Sequence, residues 1–171
     1  MPEPGLPHPE FVMSVDAMVA EAVLATLRAD PALRNFMRAI EVYELEDLLT
    51  TSSFASPSLA LILDATAETR SGGNRQVELT TVLVLGYITA TADREGTQQW
   101  LRARIGDHLK RVLTAQEAGV LYWQGQRVTE ALVTFRRLTS AVQLGTGAHL
   151  LTRFVVEFTS DVDEATREFV E

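Results

Sequence analysis

Two runs of alternating residues, Leu59–Glu68 and Gln76–Leu85, flank the segment Arg70-Ser71-Gly72-Gly73-Asn74. Successive side chains of an extended chain point to opposite faces. The first run therefore places Leu59, Leu61, Leu63, Ala65 and Ala67 on one face, and Ala60, Ile62, Asp64, Thr66 and Glu68 on the other. The return run places Val77, Leu79, Thr81, Leu83 and Leu85 together, with Gln76, Glu78, Val82 and Val84 opposite. Both faces are apolar near Leu59 and Leu85, and one becomes polar toward the glycines. Gly72 and Gly73 accept the positive φ of a tight turn. The pattern predicts an antiparallel hairpin, buried on both faces at its base, whose tip leaves the core and projects into solvent.

Helical spacing lies on either side of this hairpin. Val15, Met18, Val19, Ala22, Val23 and Leu27 form one stripe, with Ser14 as a candidate N-cap and Asp16 in the first turn. That helix should stop near Asp30, because Pro31 disfavours helical geometry in the residue before it. Asp30 is then placed to cap a second short helix with Pro31 in its first turn. Leu101, Ile105, His108, Leu109 and Val112 form another stripe, with Trp100 beside it. Asp93 and Glu95 precede this helix, and Lys110 and Arg111 lie near its end, which complements the helix dipole. It is expected over Thr97–Leu113, fading by Gly119.

Ile40–Glu44 alternates weakly and reads as a short strand. Thr50–Pro57 is polar and aperiodic and reads as a loop. Val128–Leu138 and Leu150–Phe158 read as two closing strands, joined through Gly145-Thr146-Gly147. The expected class is α+β: an antiparallel or mixed sheet with two main helices on one face, in the order α-β-β-α-β-β, with a projecting hairpin. The 171 residues, 46% of them hydrophobic, fit one domain. Its expected limits are 14–159, preceded by an extended arm over 1–13 that carries four of the six prolines. The acidic tail 160–171 is left open between coil and a short helix.

The chemistry-bearing residues are sparse. Cysteine is absent, so disulfides and thiolate chemistry are excluded. The net charge of −8 opposes general nucleic-acid binding and docking on anionic membranes. No stretch approaches the roughly 18 apolar residues of a spanning helix. Met1–Glu10 lacks the basic and apolar parts of a signal peptide, so the expected place of synthesis and residence is the cytoplasm of the producing cell. The three histidines, His8, His108 and His149, have no partner at metal-binding spacing. His108 reads as a structural residue with one hydrogen bond. Asp161, Asp163 and Glu164 lack the further ligands and the glycine of a calcium loop. Neither glycine pair opens a phosphate-binding helix, and no nucleophile elbow is present. No catalytic, cofactor-binding or metal residue is assigned, and no cofactor is expected. Tyr122 and Trp123 lie in a predicted loop, where such aromatics serve packing or an interface.

The first helix ending in Ala29-Asp30-Pro31-Ala32-Leu33, the hairpin with its glycine tip, the helix Thr97–Leu113 and two closing strands together resemble the tail terminator, or tail-to-head joining, proteins of long-tailed bacteriophages. The likeness spans roughly Ser14–Phe158 and lies in element order. It implies a non-enzymatic virion protein, made in the host cytoplasm, that forms a ring, usually a hexamer. The ring would cap the tail tube, end its polymerisation and bind a neck or connector protein while the genome DNA passes through. An acidic channel would not trap that DNA. A protruding ribbon exposes strand edges to other subunits. The expected contact residues are Arg70, Ser71, Gly72, Gly73, Asn74 and Arg75 at the tip, Phe54 in the preceding loop, and Tyr122 and Trp123. Two alternatives stand beside this: a neck, head-completion or injection-particle cap protein, and a small-molecule-binding or enzymatic α+β domain.

Overall fold

Pro31 divides the first helical stretch as its sequence requires. The computed structural model describes residues 13–50, 54–70, 75–145 and 147–170, with the Arg70 side chain excepted. Helix α1 spans Val15–Ala29 and α2 spans Pro31–Phe36. Between them, the Asp30 carboxylate accepts the N–H of Leu33 at 3.0 Å and so caps α2. Ser14 precedes α1 but its side chain makes no capping bond; Asp16 accepts the Ala17 N–H instead, at 2.9 Å.

The chain continues through β1 (Ala39–Val42), α3 (Leu45–Thr50), β2 (Ser58–Arg70), β3 (Gln76–Ala90) and α4 (Gln99–Leu113). It ends with β4 (Tyr122–Trp123), β5 (Gln126–Arg127), β6 (Ala131–Arg137), β7 (Val142–Leu144) and β8 (His149–Asp163). The main sheet is mixed and runs β1-β2-β3-β8-β6, with β7 also on β8. Among the described pairings, β1–β2 alone is parallel. The two main helices share one face, α1 over β1 to β3 and α4 over β6. This is the expected α+β class. The helix α4 begins two residues later than expected, and Asp93 and Glu95 fall in the turn before it, where Asp93 accepts the Gly96 N–H at 3.0 Å.

The principal core lies between this face and the helices. Val19, Val23 and Leu27 of α1 and Leu109 and Leu113 of α4 meet Leu83, Leu85, Tyr87, Phe154, Val156 and Phe158 of the sheet. Each such buried side chain contributes about 1.5–3 kcal/mol. At Gly106 the helix comes so near β8 that an added Cβ would sit 2.5 Å from the Phe154 ring. A second, smaller core on the opposite face joins Leu48 of α3 and Phe54 to Ala60, Ile62, Ile88, Leu144 and Leu151. It explains why the base of the hairpin is apolar on both faces.

Three expectations need correction. A bulge between Leu63 and Ala65 shifts the register, so that Leu63 pairs with Leu83 but Ala65 with Val82. Beyond it, Ala65 and Ala67 leave the face of Leu59 and Leu61, and Thr66 and Glu68 turn toward the helices. The Thr66 hydroxyl accordingly donates to Asp16 of α1 at 3.1 Å.

The hairpin is also not a free ribbon through its described length. β8 pairs β3 from Ala90↔His149 to Gln76↔Asp163. Among the described residues, the edge of its outer half is on the β2 side. Third, β8 does not end at Phe158. Ser160 and Val162 are fully buried, and the Ser160 hydroxyl donates to the Val128 carbonyl at 2.6 Å. Asp161 and Asp163 lie on the other face of the same strand, and their charge concealed the alternation. Asp163 then accepts the Ala165 and Thr166 N–H groups at 2.9 and 3.0 Å and turns the chain. Val162 and Phe169 form a further bridge.

Candidate assembly surface

The outer half of β2 is exposed because its neighbour on that side among the described residues is short. β1 accompanies β2 from Ser58 to Leu61, and the Tyr43 N–H adds a bond to the Leu61 carbonyl at 2.9 Å. From Ile62 to Arg70, the edge has no strand partner among the described residues. Such an edge presents a row of backbone donors and acceptors to another chain. Beside the place where pairing stops lie apolar side chains that no core uses. Leu63 is 39% exposed, Val42 47%, Leu45 53% and Leu49 55%. Leu48 alone anchors the short helix α3, being fully buried.

The opposite end of the sheet is open as well. β6 pairs β8 on its inner side only, with a bulge between Leu132 and Thr134 that leaves Val133 54% exposed. The Leu132 N–H is bound to the Ala118 carbonyl at 3.0 Å, which covers the start of that edge, and Thr134–Arg137 has no strand partner on its outer side among the described residues.

The contact residues expected from sequence are scattered. The Arg70 backbone ends β2, and Ser71, Gly72, Gly73 and Asn74 lie outside the described residues. Arg75 is exposed, and its carbonyl accepts the Glu164 N–H at 2.6 Å, tying β3 to the end of β8. Phe54 is not available to a neighbour. It is buried in the second core, edge-on to Tyr43 at 6.2 Å and to His149 at 5.4 Å. The loop that carries it returns through a cis Ser56-Pro57 bond, where the Ser56 hydroxyl oxygen accepts the Ala90 N–H at 2.9 Å. Tyr122 and Trp123 form one strand of a small hairpin, turned by Gln124 and Gly125 at φ 51° and 78°. Trp123 packs against the principal core while Tyr122 stays half exposed. Sequence reasoning missed the β2 edge with Val42, Leu45, Leu49 and Leu63, and the edge of β6. The one available signal for the former was apolar residues interleaved with carboxylates from Glu41 to Leu49.

His108 has the expected single hydrogen bond. Its Nε2 lies 2.7 Å from an Asp30 carboxylate oxygen, joining α4 to the α1–α2 corner. Burial by itself would raise the Asp30 pKa, but the hydrogen bonds from His108 and Leu33 outweigh it and hold the carboxyl below its usual range. Beside this pair runs an open groove of about 580 Å³, lined largely by apolar residues of α1, α4 and the 115–122 segment. Among the described residues, no group of three His, Asp or Glu side chains is placed to hold a metal ion. No described helix is long and apolar enough to cross a membrane.

The mixed sheet with two helices on one face is an architecture also found in a solved particle. A chain in the structure titled "Virion of native gene transfer agent (GTA) particle" superposes with a TM-score of 0.51 at 15% sequence identity. The match covers 86% of this chain and 98% of that one. At that identity the likeness is one of fold. No protein-family model and no curated protein matches the chain.

Proposed function

We propose that this chain is a structural protein of a phage-type particle, forming a ring that caps the tail tube, ends its growth and joins the tail to the head or neck. The observation that carries this reading is the pair of open sheet edges on a fold shared with a component of a virion-like particle. An open edge offers unpaired backbone donors and acceptors to another chain, and the bulge on each of these two edges leaves runs of regular strand on either side of it. The resemblance in element order to tail terminators supports the finer assignment. So does the negative balance, since a wall of like charge lets DNA pass without holding it.

The protein acts through its surfaces and performs no catalysis. Its partners are copies of itself, probed first as a hexamer, then the tube protein on one rim and a neck protein on the other. Its place is the tail–head junction of the particle. The test is electron microscopy of tubes grown with and without the purified chain. Added chain should give tubes of limited length with one capped end. Tubes that lengthen unchanged, with the chain binding connector protein instead, would replace this reading by the neck-protein alternative.

A further inference from the structure

We infer that copies of this chain join head to tail, the β2 edge of one against the β6 edge of the next, guided by opposite charge on the two flanks. This rests on the ring reading above and specifies which surfaces make the ring. Three observations support it.

First, the two open edges stand at the same level of the sheet. Ala131 of β6 pairs Thr159, which pairs Thr80, which pairs Ala67 of β2. Arg137 pairs Phe154, then Leu85, then Leu61 by the same path. The seven residues of β6 therefore match Leu61–Ala67, which is where β1 stops covering β2. A neighbour can be added by rotation alone, with no slide along the strands. A closed ring requires this, whereas a slide at each step would give an open helix.

Second, the direction is favourable. β2 and β8 run one way, and β3 and β6 the other. A neighbour in the same orientation sets its β2 antiparallel to β6, so that the six-stranded sheet continues from subunit to subunit.

Third, the charges are mirror images. The segment 39–70, which builds the β1–β2 flank, holds six carboxylates and one arginine. The helix α4 and strand β6, which pack together at the other flank, hold six Arg or Lys side chains and one aspartate. On a chain with more acidic than basic residues, this separation is not the expectation for a uniformly solvated surface. Lys110, Arg111 and Arg136 are exposed and, among the described residues, enter none of the ion pairs, which join His108–Asp30, Arg127–Glu130 and Arg167–Glu68. Glu46 and Asp64 are exposed on the acidic flank. Opposite potentials steer the approach of two surfaces and fix which faces meet.

Charge reversal tests this. Variant A carries Glu46→Lys and Asp64→Lys, and variant B carries Arg111→Glu and Arg136→Glu. All four side chains are exposed, and thermal melts report whether each fold persists. Light scattering then follows assembly. Each variant alone should assemble at least about tenfold more weakly than wild type, because like charges now meet at the substituted positions and most of the charge difference between the flanks is gone. An equimolar mixture of A and B should recover, since at the substituted positions the lysines of A then face the glutamates of B, and the unchanged positions of each face those of the other, as the two alternate around the ring. The four-fold variant should recover on its own. The neutral pair Glu46→Gln and Asp64→Asn should fall between wild type and A. Wild-type rings with both A and B assembling as wild type would overturn the pairing and leave the ring reading intact. A wild type that stays monomeric, in solution and on tube ends, would overturn both.

Discussion

Replacing Gly106 by alanine should destabilise the protein, although alanine is the better helix former. The new Cβ would stand 2.5 Å from one Phe154 ring carbon and 3.2 and 3.3 Å from two others. Normal carbon–carbon contact is about 3.5–4.0 Å, so roughly 1 Å of overlap must be relieved. Phe154 has little room to retreat. It is fully buried, and the Phe135 ring packs against it with centroids 6.0 Å apart. Overpacking of this kind costs about 1–3 kcal/mol. The gain in helix propensity returns up to about 1 kcal/mol. The net expectation is a loss of up to about 2 kcal/mol, or up to roughly 8 °C in melting temperature for a chain of this size.

A double-mutant cycle isolates the cause. Phe154→Leu removes the ring edge, so Gly106→Ala should be tolerated better in that background, with a coupling of about 1 kcal/mol. Differential scanning calorimetry on the four proteins measures it. A rise in melting temperature for Gly106→Ala alone, or zero coupling, would refute the close approach of α4 to β8.

Other outcomes follow from single contacts. Thr129 is fully buried; its Oγ1 accepts the Leu121 N–H at 2.8 Å and donates to the Gly119 carbonyl at 2.6 Å. Thr129→Val leaves both backbone groups unpaired and should cost about 2–4 kcal/mol by urea denaturation, more than a surface threonine would. Asp30 titrates below its unfolded value, so its contribution is present above about pH 4 and is lost as pH falls through the folded pKa. Asp30→Asn should therefore be less stable than wild type by about 1 kcal/mol at pH 6, with the difference shrinking as the pH falls through the folded pKa in melts recorded from pH 6 downward. Leu45→Lys with Leu49→Lys should leave the monomer within about 0.5 kcal/mol of wild type, because both side chains are more than half exposed. The same pair should weaken assembly in light scattering by an order of magnitude or more.

The sheet and its helices were largely legible because their signals are local. The stripe from Val15 to Leu27 and the stop at Pro31 predict α1, and Asp30 caps α2 as its position before proline suggests. The alternation from Leu59 and from Leu150 predicts β2 and β8. What escaped depended on pairing. The bulge at Asp64 adds one residue with no mark in composition, and every side chain beyond it changes face. The extension of β8 was hidden because Asp161 and Asp163 occupy its solvent side while Ser160 satisfies a backbone carbonyl inside.

The candidate surface was the least legible part. Exposure of the β2 edge is set by the shortness of β1, and the match between β2 and β6 runs through two intervening strands. Neither is a property of any one segment. Phe54 looked like a loop aromatic offered to a partner, yet the second core that buries it needs five other segments to be in place.

A cysteine pair reads the junction between copies directly, because the natural chain contains no cysteine. Ala65 and Thr134 stand at one level through Val82 and Glu157, on the face away from the main helices. In a chain carrying Ala65→Cys and Thr134→Cys, the two thiols lie on opposite sheet edges and meet only between subunits. Oxidation of the assembled protein should give a ladder of cross-linked multiples of 18.9 kDa that ends at the ring size. Assembled protein that remains entirely uncross-linked would contradict the edge-to-edge ring.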